Sequence, residues 1–179
     1  MMSIHSNSAR VIFRGFTLAL AILFFVGDAA AQNKATVGSG LNGSPLAPLA
    51  GNWSGSGTID LSYGRHEPIA CRASYDVLGD QSKLQLNVRC ASESYKFDLR
   101  GSATYSAGAI KGNWSESTRN AAGTLSGKVE GAGFQVVANG PTFTANLSLA
   151  TRGEKQSITI NSQDANANVR GVTITMRRG

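Results

Sequence analysis

The chain has 179 residues, 17 Lys and Arg against 11 Asp and Glu, and therefore a formal charge of +6; only 16% of its residues are charged and 7% aromatic. Twenty-one glycines are scattered along it, and only one apolar run is conspicuous. These figures exclude a multidomain enzyme, a coiled coil and a helical membrane protein.

That apolar run comes first. Arg10 and Arg14 precede a largely apolar region of 11 residues at 16–26, and Ala29, Ala30 and Ala31 follow. Basic, apolar and small-residue regions in this order predict an export signal over residues 1–31, cleaved before Gln32. The run is too short to span a bilayer, which takes about 20 residues, and Asp28 closes it. The mature chain is therefore expected to be periplasmic or secreted, without a membrane span. Removal of Arg10, Arg14 and Asp28 leaves 15 basic and 10 acidic residues, so it stays basic at +5. Residues 32–50 mix Gly, Ser, Asn and two prolines without a hydrophobic period and read as a flexible leader.

From Gly51 to the C-terminus the hydrophobic period is two. Trp53, Ile59, Leu61 and Tyr63 share one parity with Gly55 and Gly57, against Ser54, Ser56, Thr58 and Asp60. Tyr95, Phe97 and Leu99 alternate with Lys96, Asp98 and Arg100, and Ile110, Gly112 and Trp114 with Lys111, Asn113 and Ser115. The pattern continues through Phe134 and Val136, Phe143 to Leu149, Ile158 and Ile160, and Val172 to Met176. About ten short strands separated by Gly, Asn and Asp predict an all-β domain over residues 51–179. Consecutive antiparallel hairpins would form a meander closing into a soluble barrel of 8–10 strands. A polar outer face argues against an outer-membrane barrel, which needs a lipid-facing apolar band.

Cys71 and Cys90 are the only cysteines, and export favours a disulfide. A loop over residues 79–82 would set Leu78 opposite Lys83, then Val77 opposite Leu84, Tyr75 opposite Leu86 and Cys71 opposite Cys90. A one-residue slip would turn polar partners inward, so pattern and chemistry select the same register. The same pairing sets Arg72 against Arg89. A following loop over residues 91–94 would bring Lys96 opposite Arg89 and Phe97 opposite Val88. Arg72, Arg89 and Lys96 would then form a cationic row, with Asp60 available to neutralise Arg72. That row is either a solvated face or a site for an anionic envelope component. Nucleic acid is not expected, because the aromatic residues point inward and offer no stacking platform.

No catalytic arrangement is recognisable. His66, the single histidine after the signal, lies in a turn beside Glu67, and no serine sits in a nucleophile elbow. Glu116 and Glu130 read as carboxylates on the polar face, and no metal cluster or cofactor is expected. The chain is accordingly expected not to be an enzyme.

Two tetrapeptides, Gly51-Asn52-Trp53-Ser54 and Gly112-Asn113-Trp114-Ser115, are identical. The stretch at residues 49–57, Leu-Ala-Gly-Asn-Trp-Ser-Gly-Ser-Gly, resembles the Leu-x-Gly-x-Trp-x-Gly-x-Gly opening strand of nitrobindin-like barrels within the calycin group, which also contains the lipocalins. The resemblance implies a calycin-like barrel, with Arg177 or Arg178 packing over Trp53. The sequence departs from the haem-binding members, because no histidine after His66 could act as axial ligand. The small periplasmic inhibitors of secreted metalloproteases are similar in architecture, with a single disulfide.

Two functions follow as expectations. One is a small hydrophobic or amphipathic ligand held in an apolar interior by Trp53, Tyr75, Phe97, Trp114, Phe134 and Phe143. The other is an interaction or inhibitor module, a monomer acting through its loops and the basic face of Arg72, Arg89 and Lys96. Many inward residues are small, such as Gly55, Gly57, Gly112 and Ala145. They would either leave a cavity or let the barrel flatten until opposite walls touch.

Overall fold

The structure, a computed structural model, describes residues 43–179; the expected export signal and residues 32–42 of the leader lie outside the described residues. Ten strands follow one another: β1 (Gly51–Leu61), β2 (His66–Leu78), β3 (Lys83–Ala91), β4 (Lys96–Ser106), β5 (Ala109–Glu116), β6 (Ala121–Glu130), β7 (Gly133–Gly140), β8 (Phe143–Arg152), β9 (Lys155–Ser162) and β10 (Val169–Arg178). Each pairs antiparallel with its neighbours in sequence, and β1 closes on β10. Closure leaves no strand edge unpaired. The cause is visible along β6, where Ala121, Gly123, Leu125, Gly127 and Val129 face in and Thr124, Ser126, Lys128 and Glu130 face out without a break. Tight turns such as Ala107-Gly108 and Gly131-Ala132 need left-handed backbone, with φ 85° at Gly108 and 58° at Gly131.

The first hairpin register is the expected one. Leu78 faces Lys83, Tyr75 faces Leu86 and Cys71 faces Cys90, whose disulfide joins Cα atoms 4.1 Å apart. The second register differs. Arg89 faces Asp98, Val88 faces Leu99 and Cys90 faces Phe97, while Lys96 stands opposite Ala91. The shift is two residues, so every side chain keeps its face and the hydrophobic pattern is indifferent to it. What decides it is a loop one position later. The amide N–H of Ser92 donates to the Tyr95 carbonyl at 2.8 Å, and both Ser92 and Ser94 are held by Glu67. The shift also sets Asp98 3.1 Å from Arg89, so the expected cationic row is broken there. Asp60 does not neutralise Arg72 either, since its carboxylate lies 2.6 Å from His66 Nδ1.

The barrel end where β1 begins is plugged. Residues 44–50, expected as part of a free leader, fold back as a short 3-10 turn over Ala47–Leu49, leaving Leu46 and Leu49 only 1% and 2% exposed. Burying two leucines contributes about 1.5–3 kcal/mol each, before the entropy of ordering the segment is subtracted. Trp53 Nε1 donates to the Leu49 carbonyl at 2.8 Å. The Arg178 guanidinium stacks 4.4 Å over the Trp53 ring and donates to the carbonyls of Pro48 and Ala50. Of the two arginines expected there, Arg178 takes the position; Arg177 is exposed opposite Ser54. Tyr63, expected inward, is instead 99% exposed with φ 60° in the β1–β2 turn.

The small inward residues also have a different meaning from the expected spare room. A Cβ added at Gly55, Gly57, Gly112 or Gly123 would overlap a carbonyl oxygen of the neighbouring strand. These glycines let the sheet bend sharply enough to close, and the backbone occupies the space a side chain would have taken.

Candidate functional site

The barrel interior has two unequal parts. A contiguous core contains Trp53, Tyr75 and Phe134, together with Ile59, Ile69, Ile174 and Met176. Within it the Tyr75 hydroxyl donates to Gln156 Oε1 at 3.2 Å, and Gln156 Nε2 donates to Thr151 Oγ1 at 3.2 Å. Burial pushes the Tyr75 phenol up to about 12.

Trp114, Ala145, Leu99, Leu125 and Leu147 face inward but are not part of that core. They belong to β4–β8, on the wall toward the end away from the plug. The pairing puts Gly101, Trp114 and Gly123 in one row, and Ala103, Gly112, Leu125, Ala138 and Ala145 in the next. Small neighbours let the Trp114 ring lie over Gly123 and against Gly140. Phe143 meets it edge-on, with ring centroids 6.2 Å apart and planes at 80°. Trp114 is buried while Phe143 is 37% exposed, so the pair runs from interior to rim. Trp114 Nε1 is buried and has no hydrogen-bond partner among the described residues.

Two buried carboxylates frame the same barrel end. Glu116 accepts from the backbone N–H groups of Asp98, Thr118 and Arg119, each at 3.0 Å, and from the Thr118 hydroxyl at 2.7 Å. Burial opposes ionisation, but these donors outweigh it and hold the carboxyl at about 2. Glu67 accepts from the Ser94 hydroxyl and N–H and from the Ser92 hydroxyl, with Arg65 at 2.9 Å; these donors lower its pKa against the effect of burial. Arg119, anchored by Glu116, lies 5.4 Å from the Tyr95 ring centroid and 4.8 Å from that of Phe97. The clasps fix the β3–β4 and β5–β6 turns. Glu116 therefore corrects the expectation of a carboxylate on the polar face. Its parity with Ile110 and Trp114 carried the signal.

The six aromatic residues expected at an interior site thus divide. Trp53, Tyr75 and Phe134 are core, Phe97 packs at the core margin beneath Arg119, and Trp114 and Phe143 form the second lobe. Arg72, Arg89 and Lys96 all line one groove of about 1010 Å3 on the outside of β1–β4.

The described chain is therefore a closed, ten-stranded antiparallel barrel, stapled by one disulfide. No protein-family model matches it, and no curated protein matches it. Among solved structures it is similar to Rv2717c from M. tuberculosis, with a TM-score of 0.60 at 13% identity over 75% of this chain and 94% of that one. It is also similar to the S-type phycobiliprotein lyase CPES from Guillardia theta, with a TM-score of 0.56 at 8% identity over 75% of this chain and 90% of that one. At such identities the likeness shows the fold alone. The lyase nevertheless corrects one expectation. An enzyme occurs on this architecture, so the lack of a familiar catalytic motif does not make the chain a non-enzyme.

Proposed function

We propose that the protein is exported and that its barrel binds a small amphipathic ligand in the lobe lined by Trp114, Phe143, Leu99, Leu125 and Leu147. Residues 1–31 act as the cleaved export signal in this reading, and the disulfide suits an oxidising compartment. The opening strand at residues 49–57 agrees with a calycin-type binding barrel. The observation that carries the proposal is the buried indole N–H of Trp114, without a partner among the described residues and set in an apolar wall outside the main core. Leaving such a donor unpaired costs about 1–3 kcal/mol. A ligand oxygen, whether carbonyl, carboxylate or hydroxyl, would accept from it while an apolar tail lay along the leucines.

Titrating the mature protein with a medium-chain fatty acid and with the matching alkane tests this, with calorimetry as readout for wild type and variant and tryptophan fluorescence as a second signal in the wild type. The acid should perturb Trp114, and Trp114→Phe should weaken acid binding about tenfold while leaving the alkane unaffected. Failure of fatty acids, fatty alcohols, haem and apolar dyes alike to bind the folded protein would overturn the reading.

A further inference from the structure

We propose that the outside of the barrel carries a second site, a cationic belt that binds an extended acidic polysaccharide. The pairing across six adjacent strands aligns outward residues in one row: Arg152 opposite Lys155, Lys155 opposite Arg177, Arg177 opposite Ser54, Ser54 opposite Arg72, and Arg72 opposite Arg89. All five cations are exposed. At about 4.8 Å per strand, the row runs roughly 24 Å around the wall from β8 to β3. It ends where Arg89 meets Asp98, and among the described residues no other member of the row has an ion-pair partner.

Like charges placed directly opposite each other destabilise a sheet, and here Arg152–Lys155, Lys155–Arg177 and Arg72–Arg89 are all such pairs. Nothing in the hydrophobic pattern requires this, because outward positions accept any polar residue. A linear array of cations, four of the five without an ion-pair partner among the described residues, matches a linear polyanion.

The row beside it identifies which polyanion. Two residues along, Ser56, Thr175 and Ser157 are aligned in the same way and exposed. Hydroxyls parallel to cations suit a chain bearing both acidic groups and hydroxyls. A nucleic acid would want outward aromatics for stacking, and the belt has none. A bilayer would meet only part of a row that curves around the barrel, and the exposed large apolar residues Tyr63, Leu78 and Phe143 all lie off it. At its β2–β3 end the belt enters the outer groove of about 1010 Å3, which Arg72, Arg89 and Lys96 line together with Asn87. The site is independent of the interior lobe and stands whether or not that lobe holds a ligand.

The test measures binding of the mature protein to polygalacturonate, dextran sulfate and neutral dextran across a salt series. Phosphatidylglycerol vesicles and oligothymidylate serve as competing polyanions. The belt variant is Arg72→Gln/Lys155→Gln/Arg177→Gln. The charge-matched control is Lys83→Gln/Lys111→Gln/Lys128→Gln, which alters outward cations on β3, β5 and β6. One or both acidic polysaccharides should bind in a salt-sensitive way and neutral dextran should not, and carboxylate against sulfate preference names the acid. The belt variant should lose affinity at least about tenfold, and the control less than about threefold. If the triple variant does not fold, Arg177→Gln alone should still weaken binding more than Lys111→Gln. Equal loss in belt and control, tighter binding to vesicles or oligothymidylate, or no binding to either acidic polysaccharide would overturn the proposal.

Discussion

Replacing both cysteines, as Cys71→Ala/Cys90→Ala, should cost the barrel about 3–4 kcal/mol. The disulfide spans a sequence separation of 19 and so closes a loop of about 20 residues in the unfolded chain. Chain entropy for a loop of that size gives roughly 3.3 kcal/mol at 25 °C. Cys71 is also 3% exposed, and losing its buried sulfur adds up to about 1 kcal/mol. Residual hairpin structure in the reduced unfolded chain subtracts from the total, because β2 and β3 adjoin in sequence. For a described domain of this length, an effect of that size corresponds to a fall of about 10–14 °C in Tm. The assay is urea unfolding of the oxidised protein, the reduced protein and the double variant, with circular dichroism at two wavelengths. The midpoint should fall, and the slope should rise, because an uncrosslinked chain exposes more surface on unfolding. A loss below about 1 kcal/mol in a variant with the native spectrum would refute the loop-closure reasoning.

Three further outcomes follow from the interior. Glu116 ionises at about 2 in the folded protein against an ordinary 4.5. Its carboxylate therefore contributes stability that is fully present above about pH 4.5 and is lost as pH falls through about 2. Wild-type Tm should accordingly drop more steeply than that of Glu116→Gln across this window, the two curves converging near pH 2. Gly123→Ala should destabilise by roughly 3 kcal/mol in thermal or urea unfolding, because its methyl would overlap the Asn139 carbonyl and press on Trp114. Trp53→Phe removes the donor to Leu49 and weakens the stack with Arg178, so it should cost about 1–2 kcal/mol and speed proteolysis around residues 44–50.

The candidate site was only partly legible in the sequence. Period-two alternation marks Trp114 and Phe143 as inward, yet marks Trp53, Tyr75 and Phe134 in the same way. Parity states which face a side chain takes and nothing about what stands across the barrel. Glu67 and Glu116 share parity with inward neighbours, but a carboxylate there reads as an exception until the loops that supply its donors are in place. The catalytic question shows the same limit from another side. Catalytic residues need not fall in a familiar motif, and a lyase with a similar barrel demonstrates that the fold does not forbid an enzyme.

The sequence by itself determined the all-β class, the strand count near ten and the Cys71–Cys90 register. Each of these rests on local periodicity and on one hairpin whose chemistry and pattern coincide. Tertiary structure alone decided the β3–β4 register, because an even shift leaves every face unchanged and only the Glu67 clasp and the Arg89–Asp98 pair distinguish the alternatives. It also decided that residues 44–50 form a plug, since two leucines in a Gly, Ser and Pro-rich stretch become core only when a barrel end stands ready to bury them. The belt from Arg152 to Arg89 lies beyond any local reading for the same reason. Its members are spread over six strands, and alignment of distant residues is a property of barrel closure and shear, which no single hairpin contains.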